Sequence, residues 1–176
     1  YAQGNTGKPA TPDKAMLIDD IPEGARQTSV GNVSYHLDAG FTPLFAFGHG
    51  LSYADFRYDN IVVDPAEVEL GGTVTISAEL SNVADVAADE VVQLYTRDLA
   101  GSVTRPVREL KGFQRIRVEP GQTIRVEFQL HTDDLAFYGR DMKRAAEPGA
   151  FHAWIGGSSE TELQTSFRII DSQAEN

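Results

Sequence analysis

Cysteine is absent from the 176 residues, which excludes a disulfide framework, a thiolate metal site and a cysteine nucleophile. Basic residues are scarce: 15 lysines and arginines stand against 26 aspartates and glutamates, so the net charge is −11. A strongly acidic surface repels phosphate backbones and anionic lipid, so we expect no nucleic-acid partner and no membrane partner. No apolar run approaches the roughly 18 residues that a membrane-spanning helix needs.

Residues 1–45 are interrupted by glycine and proline so often that neither a helix nor a long strand fits between them. Apolar side chains nevertheless recur in this stretch, among them Met16, Leu37 and Phe45. The combination predicts an irregular arm pressed onto a larger body, with a flexible tail as the alternative. The chain starts at Tyr1 rather than at methionine, and we interpret this residue as a cut end.

From about residue 56 onward the pattern changes to short strands separated by turns. Apolar and polar residues alternate over residues 73–81 and 123–130, which is the period of a strand with one buried face. Residues 91–95, 107–118, 151–155 and 163–170 are further candidate strands, and Asp133 could cap one helical turn. About seven short strands with glycine and proline turns predict an all-β, immunoglobulin-like or fibronectin-III-like sandwich.

Three segments of the chain have sequences more specific than a generic strand-and-turn pattern. They read PLFAFGHGLSY at 43–53, DEVVQLY at 89–95 and SVTRPVRELKGF at 102–113. Together they resemble, in the same order, segments of the family 3 glycoside hydrolases, which include β-glucosidases and β-xylosidases. NTGKP at 5–9 is similar to a segment of the periplasmic β-glucosidase branch. Two mild departures are His49, where an aromatic ring is frequent in the family, and Lys8, where arginine is frequent.

The resemblance implies a domain organisation. Residues 1–53 would be the C-terminal arm of the family's α/β sandwich domain, 54–171 a fibronectin III-like domain, and 172–176 a polar tail. The fold class is then an all-β sandwich preceded by an irregular arm. With most of the α/β domain outside this chain, the arm is expected to leave apolar surface exposed.

The resemblance also implies where the chemistry lies. Family 3 enzymes resemble other retaining glycosidases, in which two carboxyl groups lie about 5–5.5 Å apart. In the family the nucleophilic aspartate lies in an N-terminal barrel and the acid/base usually lies in the α/β sandwich, and no stretch here resembles either motif. We therefore expect no catalytic residue in this chain. His36 and Asp38 lack a third ligand for a metal site, and no cofactor is expected.

The long loop of the arm holds the candidate substrate-binding residues Tyr35, His36 and Phe41. Aromatic faces suit the apolar C–H patch of a pyranose, so this loop could line the mouth of a catalytic pocket, in its own subunit or across a homodimer. The alternative is that these residues only pack onto the α/β domain. For Trp154 we favour a structural role, and Arg105 is either an inter-domain ion-pair residue or a solvated loop residue.

Two main functions follow as hypotheses. In the first, the chain belongs to an enzyme that hydrolyses terminal, non-reducing β-D-glucosyl residues and is periplasmic or secreted, as the resemblance implies. Its partners would be the upstream barrel and α/β sandwich domains and β-linked glucosides or oligosaccharides. In the second, the sandwich is a binding module for carbohydrate or protein, with Tyr58, Tyr95 and Trp154 as candidate exposed aromatics. A structural spacer is a third reading.

Overall fold

The computed structural model describes residues 44–171. The chain divides into two compact units, Tyr1–Ala46 and Phe47–Asn176, and the second unit contains every strand described below. Residues 47–53, assigned to the arm by the sequence, fall within this second unit, and the domain limit at residue 53 stays a prediction.

Ten strands lie in the described part of the chain. They are β1 (Phe56–Asp64), β2 (Glu67–Glu69), β3 (Thr73–Asn82), β4 (Ala88–Asp98), β5 (Glu109–Val118), β6 (Thr123–His131), β7 (Phe137–Tyr138), β8 (Arg144–Ala145), β9 (Gly149–Gly156) and β10 (Gln164–Ile170). A 3-10 turn, Thr132–Leu135, follows β6 at the position where a helical turn was predicted. The prediction of Asp133 as its cap is wrong: the cap is His131, whose ring accepts a hydrogen bond from the amide of Asp133.

The strands form two packed sheets. The small sheet has the order β1-β3-β6 and is antiparallel, whereas the large sheet has the order β2-β10-β9-β4-β5. In the large sheet β2 alone runs parallel to its neighbour, over three residue pairs. Strands β7 and β8 form a separate two-stranded ribbon. The prediction of an all-β sandwich is confirmed, with seven long strands supplemented by three very short ones.

The core lies between the two sheets and comes from the predicted alternation. One buried cluster contains Ile76 and Leu80 of β3, Phe128 of β6 and Leu94 of β4. The opposite residues of β6 are largely exposed, because successive side chains of a strand point to opposite faces. Gly112 of β5 lies against the Phe128 ring, where an added β-carbon would come within 3.0 Å of the ring edge.

Strand β1 was not among the candidate strands, and its backbone explains why. The pairing of β1 with β3 shifts register between Asp59 and Val62, and Asn60 has a φ of 53°. Such a bulge inserts an extra residue and breaks the two-residue period on which strand prediction depends. The alternation is therefore interrupted in the middle of the strand.

Asn82, at the end of β3, is fully buried and fastens the connection between β3 and β4. Its amide nitrogen donates to the carbonyl of Val86 at 2.7 Å and to that of Val118 at 3.0 Å. Its side-chain oxygen accepts from the amide of Ala84 at 3.0 Å. Because all its polar atoms are satisfied, a buried amide here ties the two sheets together at little desolvation cost. Within residues 44–171 no helix is long and apolar enough to span a membrane.

Candidate functional site

The candidate substrate-binding residues Tyr35, His36 and Phe41 lie outside the described residues, so their role stays a prediction. Among the described residues no group of three or more histidines, aspartates or glutamates is placed to hold a metal ion. The aspartates of the described residues were also considered. Asp59 forms an ion pair with Arg57 at 2.6 Å, and Asp133 and Asp134 are exposed to solvent at the 3-10 turn. The most organised polar site in residues 44–171 lies elsewhere, on the outer face of the large sheet.

Strand β4 presents Val91, Gln93 and Tyr95 to this outer face, because Val92 and Leu94 face the core. Yet Gln93 and Tyr95 are buried, Tyr95 with only 1% of its surface exposed. The segment that enters the domain at Phe47 and Gly48 covers them. We call the cluster of Phe47, Gly48, Gln93 and Tyr95 the entry clamp.

Gln93 is the centre of the entry clamp. Its side-chain amide nitrogen donates to the carbonyl of Gly48 at 3.1 Å and to that of Gly157 at 2.6 Å. Its side-chain oxygen accepts from the Tyr95 hydroxyl at 2.5 Å. Gln93 of β4 thereby binds the entering segment at Gly48, 45 residues away along the chain, and the loop after β9 at Gly157, 64 residues away.

Tyr95 completes the clamp with both its ring and its hydroxyl. The hydroxyl oxygen lies 3.4 Å from the carbonyl oxygen of Phe47, and the Phe47 ring packs edge-on against the Tyr95 ring with centroids 6.4 Å apart. Burial raises the pKa of Tyr95 to about 12, and the nearby Arg108 charge partly opposes this effect. The hydroxyl therefore stays protonated and serves as a hydrogen-bond donor at any physiological pH.

Arg108 and Trp154 extend the cluster over strand β9. The Arg108 guanidinium stacks 4.4 Å from the Trp154 ring centre and donates to the carbonyls of Ser159 and Thr161, the second at 2.7 Å. Burial lowers the pKa of Arg108, and the carboxylate of Glu162 partly opposes that shift. The amide of Ser159 in turn donates to the Phe47 carbonyl at 2.9 Å. The loop between β9 and β10 is thus fixed to the same surface as the entering segment.

The motif residues Arg105 and Lys111 also have internal partners. Arg105 pairs with Glu109 at 3.0 Å and stacks 4.3 Å from the centre of the Phe137 ring. Lys111 pairs with the same carboxylate at 2.8 Å and donates to the carbonyl of Asp134. These contacts hold the loop before β5 in place, so the sequence motif around residues 102–113 has a structural explanation within the domain.

The sequence predicted a structural role for Trp154 but not its position on the outer face of β9. That prediction considered only that one face of the strand must lie in the core. It also missed Gln93, Gly48 and Arg108 as a connected set. One signal was available: Gln93 is the polar exception in the apolar run of residues 91–95, and a polar residue in a buried strand must find hydrogen-bond partners. Which partners it finds depends on segments far away in sequence.

Glu90 lines an open groove of about 780 Å³ beside the entry clamp, together with Gly48, Gln93 and Gly157. Its carboxylate accepts a 2.8 Å hydrogen bond from the hydroxyl of Tyr58 in the small sheet. Burial raises the pKa of Glu90, and the hydrogen bond from Tyr58 partly offsets that rise. Tyr58 and Glu90 therefore form a polar link between the two sheets. The pair contains one carboxylate, whereas a retaining glycosidase uses two.

Comparisons with known proteins agree with this architecture. A family model described as a fibronectin type III-like domain matches residues 90–159. A β-xylosidase of Formosa agariphila is 45% identical over 121 residues, which cover 69% of this chain and 17% of that protein. A periplasmic β-glucosidase of Salmonella typhimurium is 33% identical over 170 residues, covering 97% of this chain and 20% of that protein.

Solved structures give the same result at the level of the fold. A crystal structure of a β-glucosidase from Listeria innocua in complex with glucose matches with a TM-score of 0.76 and 31% identity. The match covers 94% of this chain and 21% of that one. The chain spans about a fifth of the length of the relatives it matches. Taken with the sequence segments and the sandwich topology, these findings place the chain in the family 3 glycoside hydrolases, whose fibronectin type III-like domain it carries.

Proposed function

We propose that this chain is the supporting C-terminal part of a retaining β-glucosidase that removes terminal, non-reducing β-D-glucosyl residues. The nucleophilic aspartate and the acid/base would lie in upstream barrel and α/β sandwich domains. The named relatives support this proposal, since those quoted above are β-glucosidases and a β-xylosidase of about five times the length. A periplasmic or extracellular location is proposed on the periplasmic relative.

The observation that supports this role is the burial of Tyr95 and Trp154, the two aromatic residues of the large sheet that the sequence offered for a binding module. A glycan-binding sheet leaves its rings exposed so that sugar faces can stack on them. Here Tyr95 and Trp154, the latter with 5% of its surface exposed, are covered by Phe47, Gly48 and Arg108. The candidate binding face is used to hold the protein's own chain, which favours the first hypothesis over the binding module.

The test compares the isolated chain with the full-length protein. We expect the full-length protein to hydrolyse an aryl β-glucoside and the isolated chain to give no turnover. Calorimetric titration of the isolated chain with laminarin or cello-oligosaccharides should give no micromolar binding. Turnover by the isolated chain would contradict the placement of the carboxylates, and tight glycan binding would favour the binding module.

We further propose that the loop holding Tyr35, His36 and Phe41 lines the mouth of the pocket in the full-length enzyme. Its support is the match of the Salmonella typhimurium β-glucosidase over 97% of this chain, which extends beyond the sandwich. Tyr35→Ala or His36→Ala should then change KM or kcat for the aryl glucoside. Unchanged kinetics would restrict these residues to packing.

A further inference from the structure

A cavity of about 620 Å³ lies where the connection between β4 and β5 meets the connection between β7 and β8. It is lined by Arg97 near the end of β4, by residues 98–105 and by Arg140 from the β7–β8 connection. The lining includes Ser102, Val103 and Thr104, which begin the sequence segment 102–113. We call this cavity the arginine pocket.

Arg97 and Arg140 differ from most arginines of this acidic chain. Most arginine side chains in residues 44–171 have an ion pair or a hydrogen bond with another described residue, as Arg105 has with Glu109. The side chains of Arg97, Arg140 and Arg168 have neither within that range. Two of these three line the same cavity, so unpaired positive charge is concentrated there although acidic residues outnumber basic ones 26 to 15.

The acidic group of the lining does not cancel this charge. Three arginines and one aspartate line the arginine pocket, so its charge is positive. Asp98 Oδ1 accepts from the amide of Ala100 at 3.0 Å. Asp98 Oδ2 is shielded from solvent and lies against Gly101, where an added β-carbon would come within 2.8 Å of it. Arg105 already has Glu109 as its partner, so a ligand meets the two unpaired guanidinium groups.

The walls of the arginine pocket are fixed by hydrogen bonds. The carboxylate of Glu147 accepts from the amide of Ser102 at 2.8 Å and from its hydroxyl at 2.5 Å. The amide of Gly139 donates to the carbonyl of Lys143 at 3.0 Å and closes the turn that contains Arg140. A site that is formed before the ligand arrives loses little conformational freedom on binding.

The chemistry of the lining selects a class of ligand. A guanidinium group binds a carboxylate or a phosphate through two parallel N–H···O bonds. The Thr104 hydroxyl and the backbone amides of Val103 and Thr104 have no hydrogen-bond partner among the described residues, so they are available to further oxygen atoms of a ligand. No aromatic side chain of residues 44–171 lines the pocket, so a neutral sugar has no ring to stack on.

We propose that the arginine pocket binds the carboxylate or phosphate group of a small, sugar-sized anion, with Arg97 and Arg140 holding the charged group. The volume of the cavity is in the range of small-molecule sites. This inference goes beyond the proposed function and does not depend on it, because it uses only residues of the sandwich.

The experiment is a calorimetric titration of the full-length protein with D-glucuronate, glucose 6-phosphate and inorganic phosphate in turn. Excess D-glucose is present throughout, so that any site for the neutral sugar is already filled. We expect Arg97→Gln and Arg140→Gln each to weaken the binding of the anion at least about tenfold, since each removes a charge-assisted hydrogen-bond donor. Arg168→Gln is the matched control, because Arg168 is also exposed and unpaired among the described residues but does not line the pocket. It should bind the anion as the wild type does.

Binding of glucuronate alone would identify a carboxylate site, and binding of glucose 6-phosphate and inorganic phosphate would identify a phosphate site. Affinities weaker than about 10 mM for all three anions would overturn the proposal. Equal affinities in the wild type, Arg97→Gln and Arg140→Gln would overturn it as well, and so would an equal loss in Arg168→Gln.

Two further measurements keep the result independent of folding and of the proposed function. Added sodium chloride should weaken the binding of the anion to the wild type, because salt screens exposed charges, and salt-independent binding would contradict the proposal. Hydrolysis of an aryl β-glucoside is followed in the same preparations. An active enzyme that binds no anion refutes the arginine pocket alone, whereas an inactive protein that binds the anion refutes the proposed function alone.

Discussion

Gly48 is the residue whose identity the outer face constrains most tightly. Its φ is +78°, in the region that favours glycine, and an added β-carbon would overlap the Gln93 side chain and lie 2.7 Å from the Tyr95 hydroxyl oxygen. Both the backbone and the surroundings therefore require the absence of a side chain. The packing of the entering segment onto β4 depends on this one position.

We expect Gly48→Ala to lower the free energy of unfolding by more than the 1–3 kcal/mol, roughly, that a left-handed non-glycine backbone costs. Gly71→Ala is the matched control, since Gly71 has a φ of +84° but nothing lies within 4 Å of its added β-carbon. Urea unfolding followed by circular dichroism compares the two. Equal losses of stability would mean that Gln93 and Tyr95 do not restrict position 48.

At the scale of elements, the two sheets are joined by polar links as well as by the apolar core. Tyr58 of β1 and Glu90 of β4 form one such link, and Asn82 at the end of β3 forms another with Val118 of β5. Burial raises the pKa of Tyr58 strongly, and the neighbouring Glu90 adds to this, so the hydroxyl remains a donor. Glu90 is the member of the pair that can change charge in the accessible pH range.

Glu90 should make the sandwich less stable as pH rises. Its carboxyl pKa is raised in the folded state above the ordinary value of 4.5, mainly by burial, so the folded protein binds this proton more tightly than the unfolded chain. The stabilisation from protonated Glu90 is complete below 4.5 and is lost as pH rises through the folded value. Glu90→Gln, which is neutral and can still accept from Tyr58, should therefore gain stability relative to the wild type across that window.

The measurement is urea unfolding of both proteins between about pH 4 and pH 8, where carboxyl groups complete their titration. Glu160→Gln is the control, because Glu160 is exposed in the same groove and has no ion pair with the other described residues. A stability difference between Glu90→Gln and wild type that does not change with pH would contradict the assignment.

At the scale of the whole domain, strands β4 and β9 carry two packed layers at once. Their inner faces contribute Leu94 and Ile155 to the sandwich core, while their outer faces contribute Tyr95 and Trp154 to the cluster under Arg108. The two layers share the same backbone hydrogen bonds, so neither is expected to unfold while the other stays intact.

Trp154 is the single tryptophan of the chain and reports on the outer layer alone. We expect its fluorescence and the far-ultraviolet circular dichroism of the sheets to give the same urea midpoint and the same slope. A fluorescence transition at clearly lower urea would show that the outer cluster detaches from a folded sandwich. Arg108→Ala removes the guanidinium that covers the Trp154 ring. In the same urea experiment it serves as the reference for a protein with a weakened outer layer.

The sequence by itself determined the class of fold and the family. Alternating residues such as Val74 to Leu80 can bury one face only as a strand, and turn residues such as Gly71 and Gly121, both with positive φ, fix where strands end. These signals are local, so they survive without any knowledge of the partner strand. Strand β1 escaped because its bulge at Asn60 removes the local period.

The tertiary structure alone decided what happens on the outer face. Gln93, Gly48 and Gly157 meet only because β4, the entering segment and the loop after β9 are brought together across 45 and 64 residues of sequence. The same holds for Arg108 above Trp154 and for the groove between Leu51 and Phe113. Hydrophobic periodicity records which face of a strand is buried in the core, but it carries no information about which distant segment covers the other face.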